Sequence, residues 1–292
     1  TFTMPVVKLF GNDQAAWIKT MSIWCAIALV LLVICFVRCK ETVNFESTAQ
    51  EQPKVPASRA IKALLGNPYF WATLILWTVT CVHTTIIGTD LPYYCKYVLG
   101  NDEWYYSVIY TSEIVALIVG ALLCPMLLQK FNKRNLSLAG CIVVVIAHAL
   151  IMVNPMSFQW ILVMTIIRSL GQAPLTSLVF GMMGDVVEYG QWKSHLRQES
   201  LIFGGGSLGF KIGTGITSAV MTAMLEGAGF LSSVTGGAMQ PTSAQQMISS
   251  IFKFGPIFVW IVAIIVLLFY KLDKIYPTIM KELTEREARG EM

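Results

Sequence analysis

Seven long apolar blocks constrain the fold of this chain more than any other feature of its sequence. Each block is close to the roughly 20 residues that a helix needs to cross the hydrocarbon core of a bilayer. Lipid offers the backbone no hydrogen-bonding partners, so blocks of this kind must be helices. The predicted spans cover residues 17–38, 68–91, 104–129, 135–154, 158–184, 199–225 and 248–272.

The overall composition supports the same fold class. Hydrophobic residues make up 55% of the 292 positions and charged residues only 13%. Soluble domains carry about 25% charged residues, so a water-soluble fold of this size would lack the polar side chains to cover its surface. The sequence therefore predicts an all-α membrane protein whose surroundings are the lipid bilayer.

The placement of Lys and Arg predicts how the spans are oriented. Cytoplasmic loops of membrane proteins carry an excess of these residues. Four segments that fall on one side of the predicted topology hold most of the 21 Lys and Arg residues. We therefore expect a multi-pass protein of the cell (inner) membrane with its long linker and C-terminus in the cytoplasm. The net charge of +4 is a topology signal, and no basic stripe with interleaved aromatic residues indicates nucleic-acid binding. The four basic segments are 38–62, 130–134, 185–198 and 271–289.

The chain divides into four predicted regions. Residues 1–10 resemble the tail of a further helix, and Thr1 is not an initiator Met, so we interpret the chain as a fragment without its N-terminal portion. The alternative is a chain that begins there by design. The regions are 1–38 (the end of an N-terminal half), 39–66 (a polar linker with a short amphipathic helix), 67–272 (a six-helix bundle) and 273–292 (a tail).

The predicted helix 199–225 has two contrasting faces. Its polar face carries Lys211 about half-way along the span, too deep for the ammonium group to reach the headgroups easily. The opposite face carries small residues at every fourth position, which lets a neighbouring helix pack closely. We expect Lys211 to face a polar cavity, and the alternative is a structural ion pair between helices. The polar face comprises Ser207, Lys211, Thr214 and Ser218, and the small face comprises Gly205, Gly209, Gly213 and Thr217.

A second polar face lies on the predicted helix 158–184. A guanidinium binds carboxylate, sulfonate or phosphate groups and donates to sugar hydroxyls, so Arg168 is a candidate anchor for an anionic substrate. The equally weighted alternative is an arginine near the outer interface that bonds carbonyl groups. The residues of this face are Thr165, Arg168, Gln172 and Thr176.

Two further faces are weaker candidates. Trp77, Thr80 and Thr84 share a face of the span 68–91, and Tyr110 precedes Glu113 by one turn on the span 104–129. Aromatic rings beside hydroxyl groups suit a sugar, so Trp77 and Tyr110 are candidate substrate-binding residues. Glu113 is a candidate for a proton- or cation-responsive carboxylate, or for the partner of Lys211.

The remaining polar residues indicate no catalytic or metal chemistry. His83 and His148 lack partners at ligand spacing, so ordinary packing is favoured, and Asp90 is interpreted as a solvated carboxylate at a helix end. The seven cysteines show no CxxC spacing, which favours small apolar helix residues over metal or disulfide roles. No GxSxG, HExxH or P-loop motif is present. We expect no enzyme, no metal site and no covalently bound cofactor.

The stretch 181–216 (GMMGDVVEYGQWKSHLRQESLIFGGGSLGFKIGTGI) carries a resemblance to a known family. Its order of an Asp, then Glu-Tyr-Gly, a basic residue and Arg-x-Glu-Ser resembles the glycoside–pentoside–hexuronide:cation symporters of the major facilitator superfamily. The likeness extends over essentially the whole chain. It implies that 67–292 is the C-terminal six-helix half of a twelve-helix carrier. The matching residues are Asp185, Glu188, Tyr189, Gly190, Lys193, Arg197, Gln198, Glu199 and Ser200.

The resemblance also implies roles for individual residues. Lys211 matches a lysine in the polar network that joins the family's sugar and cation sites, Ser207 a position near the sugar, and Thr176 a cavity position. The loop from Asp185 to Ser200, which includes Glu188, Tyr189, Lys193, Arg197 and Glu199, resembles the family's cytoplasmic gate. The coupling cation, Na⁺ or H⁺, is implied by the family, whose cation-binding carboxylates lie in the half absent here.

These observations predict a sugar:cation symporter that works by alternating access on a glycoside, pentoside or hexuronide, with Arg168 favouring an anionic sugar. Its partners would be a small sugar or uronate and the missing N-terminal half. One alternative is a membrane sensor or scaffold that does not transport. Another is a carrier of the same fold for amphipathic lipids.

Overall fold

A computed structural model describes residues 3–11, 13–39, 56–100, 104–231 and 240–289, and every regular element in these ranges is helical. The all-α prediction is therefore confirmed. Most of the predicted linker, residues 40–55, and the last residues of the predicted tail, 290–292, lie outside the described residues. In chain order the helices are α1 (Thr3–Leu9), α2 (Gln14–Arg38), α3 (Ala57–Leu65), α4 (Pro68–Tyr93), followed directly by a π-helical turn (Tyr94–Val98), α5 (Trp104–Leu128), α6 (Lys133–Ile151), α7 (Phe158–Ser194), α8 (Glu199–Gly227), α9 (Thr242–Phe269) and α10 (Leu272–Ala288).

Seven of the described helices, α2 and α4–α9, are long and apolar enough to cross a membrane. Their number agrees with the spans predicted from the sequence.

Local capping explains where two of these helices begin. Asn67 accepts a hydrogen bond from the backbone N of Tyr69 (3.0 Å) and precedes Pro68, which suits the first position of α4. Ser157 accepts one from the backbone N of Trp160 (3.4 Å) at the start of α7.

Helix α7 corrects the prediction of a loop over 185–198. The helix continues to Ser194, well past the predicted end of the span at residue 184. Its added turns bury Val186 and Val187 in the hydrophobic core, which favours helix over a solvated turn. His195 then ends the helix in a left-handed conformation with φ +55°.

The segment predicted as a tail, 273–292, is also largely helical. Leu272, Ile279 and Leu283 share one face of α10 and are buried in the same core as the end of α7. The helix is too polar to be one of the seven spans. It is therefore an amphipathic helix that covers one end of the bundle.

The residues up to Pro56 form a compact unit of their own. Within it α1 packs on α2, and the Asp13 carboxylate caps α2 by accepting from the backbone N of Ala16 (2.7 Å). Most of α2 is exposed and apolar, as in a helix whose sides meet lipid or other membrane helices.

The residues from Ala57 onward form the second unit, a bundle of α4–α9 with α3 and α10 at one end. Helix α7 packs between α5 and α6, while α4 packs against α8 and α9, and α6 also packs against α9. The centre of the unit is therefore formed by α4 and α7, which also contact each other.

Small residues set the closest helix contacts. A Cβ atom on Gly140 of α6 would lie 2.3 Å from the carbonyl oxygen of Gly171 on α7. On α8, a Cβ on Gly209 would lie 2.4 Å from Leu74, and one on Gly213 would lie 2.6 Å from Thr78, both on α4. The predicted small face of this helix is thus confirmed as a packing surface, and α4 is the helix that it meets.

We predict that Gly140→Ala lowers the free energy of unfolding by about 1–3 kcal/mol, because the added methyl group must push α6 away from α7. Gly215→Ala is the matched control, since a Cβ there meets nothing within 4 Å. That control should change stability by no more than about 1 kcal/mol, in the stabilising direction. Thermal unfolding of the purified protein in detergent measures both effects. Equal transition temperatures for the two variants would contradict the packing argument.

Candidate functional site

A pocket of about 230 Å³ opens between α4, α7 and α8. Helix α4 provides one wall, α7 the second and α8 the third, and the glycine contacts between α8 and α4 bring the third wall into place. No charged side chain lines the pocket. Its lining residues are Trp77, Thr80, Cys81, Thr84, Thr85, Thr176, Val179, Phe180, Phe210 and Thr214.

Five threonines give this pocket its polarity. Each hydroxyl donates its hydrogen to a backbone carbonyl three or four residues earlier in its own helix, so the lone pairs of the oxygen are left free. The pocket therefore offers hydrogen-bond acceptors to a ligand rich in hydroxyl donors. The bonds run from Thr80 to Trp77 O (2.7 Å), Thr84 to Thr80 O (2.9 Å), Thr85 to Cys81 O (2.9 Å), Thr176 to Gln172 O (3.1 Å) and Thr214 to Phe210 O (2.9 Å).

Three aromatic rings line the same pocket. Trp77 meets Phe180 edge to face, with ring centroids 4.9 Å apart, and tilts towards Phe210 at 6.3 Å. The three rings come from three different helices, so each pocket wall contributes one. They leave apolar surface beside the threonine hydroxyls, the combination that pockets for small molecules share.

The structure brings some of the predicted substrate residues together and leaves others apart. Trp77 and Thr176 line the pocket. Lys211 is exposed on α8, one turn before the lining residue Thr214, and forms no ion pair with any described residue. Ser207 lies one turn earlier on the same helix and is half-buried. Tyr110 does not line the pocket and instead stacks on Tyr106, with centroids 5.5 Å apart.

Arg168 and Glu113 form a buried ion pair between α7 and α5. Arg168 Nη2 lies 2.7 Å from Glu113 Oε2, and the two side chains are only 2% and 9% exposed. Glu113 is therefore not the partner of Lys211. The guanidinium is likewise not free to anchor an anionic substrate, and it does not line the pocket. The reason is that a buried guanidinium requires a counter-charge, which α5 supplies here.

Two histidines join this ion pair in one buried cluster. His83 of α4 accepts a hydrogen bond at Nδ1 from Trp260 Nε1 of α9 (2.9 Å), and its ring lies 5.8 Å from that of His148 on α6. Both rings are fully buried and lie within the field of the Arg168 charge. The interpretation of these histidines as ordinary packing residues fits their burial, and the structure adds the hydrogen bond from Trp260 and the contact between the two rings. The sequence did contain a signal for this cluster: each histidine lies inside an apolar span, where a polar ring requires a partner.

Gln172 and Asp90 complete the set of buried polar residues predicted on these helices. Gln172 lies one turn beyond Arg168 on α7, beside the His83 ring, and does not reach the pocket.

Asp90 is fully buried, and neither carboxylate oxygen has a hydrogen-bond partner among the described residues. Its interpretation as a solvated helix end is therefore wrong. The chain does not end its helix near Asp90 but continues through the π-helical turn to Val98.

The residues predicted to form a gate lie where α7 meets α6 and α10. Asp185 is buried and binds Lys133 with both oxygens (2.7 Å each), and Glu188 accepts a hydrogen bond from the Tyr276 hydroxyl. Burial, together with the bond to Glu188, raises the pKa of Tyr276, so this hydroxyl keeps its proton and acts as the donor. These side chains bind partners within the same unit, and they join three helices at its Lys- and Arg-rich end.

The other gate candidates are more exposed. Lys193 lies over the Tyr189 ring at 5.8 Å and donates to the backbone oxygen of Gly66 (3.5 Å). Arg197 pairs with Glu199 (3.4 Å) at the start of α8, with both side chains about half exposed. Exposed pairs of this kind contribute little to stability and are easily exchanged for other partners.

Sequence reasoning missed the α10 side of this end of the bundle. Trp192 Nε1 donates to Glu282 Oε2 (2.6 Å), and Arg286 donates to the Trp192 backbone oxygen (3.0 Å). The backbone N of Arg134 donates to Asp273 Oδ2 (2.9 Å) in the first turn of α10. These bonds depend on the path of a helix that the sequence pattern presented as a tail.

Comparison with known proteins shows likeness along the chain. A family model described as "MFS/sugar transport protein" matches residues 1–274. The isoprimeverose transporter of Lactiplantibacillus pentosus is 28% identical over 99% of this chain and 60% of its own length. The putative glycoside/cation symporter YagG of Escherichia coli is 27% identical over 99% of this chain and 62% of its length. The putative sulfoquinovose importer of Salmonella typhimurium is 24% identical over 98% and 60%. The chain thus spans about three fifths of the length of these relatives.

We predict that Glu113→Gln lowers the free energy of unfolding by about 3–5 kcal/mol, because it leaves the Arg168 charge buried without a counter-charge. The double variant Glu113→Gln/Arg168→Gln should recover most of this loss, since it removes both charges. Thermal or denaturant unfolding in detergent distinguishes the two variants. A double variant as unstable as the single one would contradict the ion-pair interpretation.

Proposed function

Because the chain belongs to the MFS/sugar transport protein family, we propose that it forms part of a symporter that moves a glycoside, pentoside or hexuronide together with a cation. Membership makes it a transporter rather than an enzyme. The proposed mechanism is alternating access, in which this half and a second half rock around a site near the bilayer midplane. The coupling ion is Na⁺ or H⁺, and its binding carboxylates lie in the second half.

The pocket between α4, α7 and α8 is the observation that carries this proposal. A sugar presents hydroxyl donors around its ring and apolar C–H groups on its faces. Five threonine oxygens that act as acceptors match the first feature, and the rings of Trp77, Phe180 and Phe210 match the second. A carrier for amphipathic lipids would instead need an apolar lining, so the threonines favour sugar over that alternative.

The charge of the site favours a neutral sugar. Arg168, the residue that pointed to an anionic sugar, is neutralised by Glu113 and lies outside the pocket. Lys211 beside the α8 wall is the nearest candidate cation for a uronate carboxylate. Among the relatives, the isoprimeverose transporter and the glycoside/cation symporter support the choice of glycoside or pentoside for this chain. Counterflow of labelled neutral glycosides, pentosides and uronates through the complete carrier tests the choice, and exchange of none of them would favour a sensor or scaffold.

The orientation and the gate follow from the same proposal. The Lys- and Arg-rich end, where α3, α10 and the end of α7 meet, would face the cytoplasm. Its exposed pairs, Lys193 with Gly66 and Arg197 with Glu199, are the contacts that another half could exchange during closure. The partly buried pairs, Asp185 with Lys133 and Glu188 with Tyr276, would hold their helices together throughout the cycle.

We predict that Thr176→Val weakens sugar binding about 5–10-fold, because it removes one hydroxyl acceptor from the pocket with little change in volume. Thr222→Val is the matched control, since Thr222 is exposed on α8 outside the pocket and bonds only the Ser218 carbonyl of its own helix (2.9 Å). Calorimetric titration with the best counterflow substrate measures both. Equal affinities in the two variants would exclude Thr176 from the site.

We also predict that Lys211→Ala in the complete carrier abolishes cation-coupled uptake, because the ammonium beside the pocket would link the sugar to the ion site. Lys281→Ala, at an exposed lysine of α10, should leave uptake unchanged. Accumulation of labelled sugar in vesicles against its gradient is the measurement. Normal accumulation in the Lys211 variant would remove this residue from the coupling network.

A further inference from the structure

The indole N–H of Trp77 is a hydrogen-bond donor that the fold leaves without a partner. Trp77 lines the pocket from α4, and its Nε1 bonds to none of the described residues. Nor is Nε1 one of the fully buried unbonded atoms, so a ligand in the pocket can reach it. Other tryptophans of the second unit use the same group within the protein. The bonds run from Trp71 to Leu65 O (3.0 Å), Trp160 to Leu150 O (2.8 Å), Trp192 to Glu282 Oε2 (2.6 Å) and Trp260 to His83 Nδ1 (2.9 Å).

The depth of Trp77 makes a free donor unusual. It is the tenth residue of α4, which places it about 14 Å along the helix. Tryptophans with a free N–H are common at the membrane–water interface, where the polar edge of the ring is solvated. A polar group deeper in a span is unfavourable unless it meets protein, water or a ligand. The pocket is the place where this N–H meets a partner.

The remaining lining residues provide no other strong side-chain donor. The five threonine hydroxyls direct their hydrogens to backbone carbonyls of their own helices. The Cys81 thiol is a weak donor, and its Sγ lies 3.8 Å from Thr80 Oγ. Val179, Phe180 and Phe210 have no polar side-chain atoms. Among the described lining residues, five side-chain acceptors therefore stand beside one strong side-chain donor.

Gly206 of α8 determines how the indole is oriented. A Cβ on Gly206 would lie 2.5 Å from Trp77 Cζ3 and 2.6 Å from Cε3. These two atoms form the edge of the six-membered ring that lies across the indole from Nε1. The ring therefore fills the space of the missing side chain, and its Nε1 edge is turned away from Gly206. Phe180 of α7 packs edge to face against the same indole, with centroids 4.9 Å apart.

We propose that Trp77 Nε1 donates a hydrogen bond to an acetal oxygen of the sugar, and that Gly206 is the residue that positions it. The acetal oxygens are the ring oxygen and the glycosidic oxygen, which share the anomeric carbon. Sugar hydroxyls can give their hydrogens to the threonine oxygens, but an acetal oxygen has no hydrogen and requires a donor. The pocket therefore fits a glycoside, in which both of these oxygens only accept. This inference rests on the proposed function and names the group that the site would recognise.

Sugar analogues that lack one acetal oxygen test the donor. The probes are methyl glucopyranoside and methyl xylopyranoside, each compared with an analogue that has CH₂ in place of the ring oxygen and one that has CH₂ in place of the glycosidic oxygen. Calorimetric titration of the complete wild-type carrier should show about 3–10-fold weaker binding of one analogue than of its parent glycoside. Equal binding of the parents and both analogues by the wild type would overturn the proposal without any variant.

Trp77→Phe keeps an aromatic ring in the pocket but removes the N–H. It should bind the parent glycoside about 3–10-fold more weakly and no longer distinguish it from the analogue. Trp71→Phe is the matched control, because it removes an indole of the same helix whose N–H bonds Leu65 O outside the pocket. That control should keep the preference of the wild type. A preference that persists unchanged in Trp77→Phe would overturn the proposal.

Gly206→Ala tests the positioning role. The added methyl group displaces the indole, so the affinity for the parent glycoside should fall and the preference over the analogue should be lost. Gly204→Ala should change neither, since a Cβ there meets nothing within 4 Å. Because Gly206 acts through the indole, Gly206→Ala/Trp77→Phe should bind the glycoside no more weakly than Trp77→Phe alone. The smaller ring also leaves room for the methyl group if Gly206→Ala alone does not fold. Additive losses of affinity would overturn the role of Gly206.

The proposed function and the donor role have different failures. Absence of counterflow by the wild-type carrier with every sugar tested contradicts the proposed function itself. A carrier that exchanges other sugars but binds neither methyl glycoside contradicts only the acetal contact. Equal loss of affinity for parent and analogues in Trp77→Phe does the same, because the indole would then contribute only apolar surface.

Discussion

The Arg168 charge imposes the strictest requirement on this fold. A guanidinium inside a membrane-spanning helix has no water to solvate it, so a neighbouring helix must supply an anion. Glu113 does so at 2.7 Å and thereby fixes how α5 lies along α7. Two buried histidines, from α4 and α6, belong to the same cluster, and one of these is oriented by Trp260 of α9. A single buried cation thus links the arrangement of five helices.

The second unit, from Ala57 onward, contains two neighbouring polar sites of different chemistry. The pocket carries hydroxyls and aromatic rings but no charged side chain, and the buried cluster of His83, Glu113, His148 and Arg168 carries charge but is closed. Helices α4 and α7 contribute to both: His83 directly precedes the lining residue Thr84 on α4, and Arg168 lies about two turns before the lining residue Thr176 on α7. Separation keeps the desolvated ion pair out of the pocket.

Sequence periodicity predicted which side chains share a face of one helix, but it did not predict which residues of different helices would pair. The seven spans, the small face of α8 and the pocket residues Trp77 and Thr176 all follow from patterns within one helix. The pairing of Glu113 with Arg168 and the meeting of His83 with His148 join residues that are 55 and 65 positions apart, and helical spacing holds no information about which helices become neighbours. The extension of α7 to Ser194 was missed for a related reason. Its polar turns are stabilised by contacts with α10, a helix that the pattern of apolar blocks did not reveal.

The contacts of α8 differ in kind from those of the other spanning helices. Helices α5, α6, α7 and α9 are joined to each other or to α4 by the buried cluster, and α6 and α7 are joined to α10 by Asp185 and Glu188. Among the described residues, no side-chain hydrogen bond or ion pair joins Glu199–Gly227 to another spanning helix; glycine contacts with α4 hold it instead. Such contacts are short-ranged but not directional, so α8 can shift along α4 without breaking a polar bond. Since α8 carries Phe210, Lys211 and Thr214, the pocket wall without polar bonds to the other spanning helices is also the one that places a lysine near the pocket.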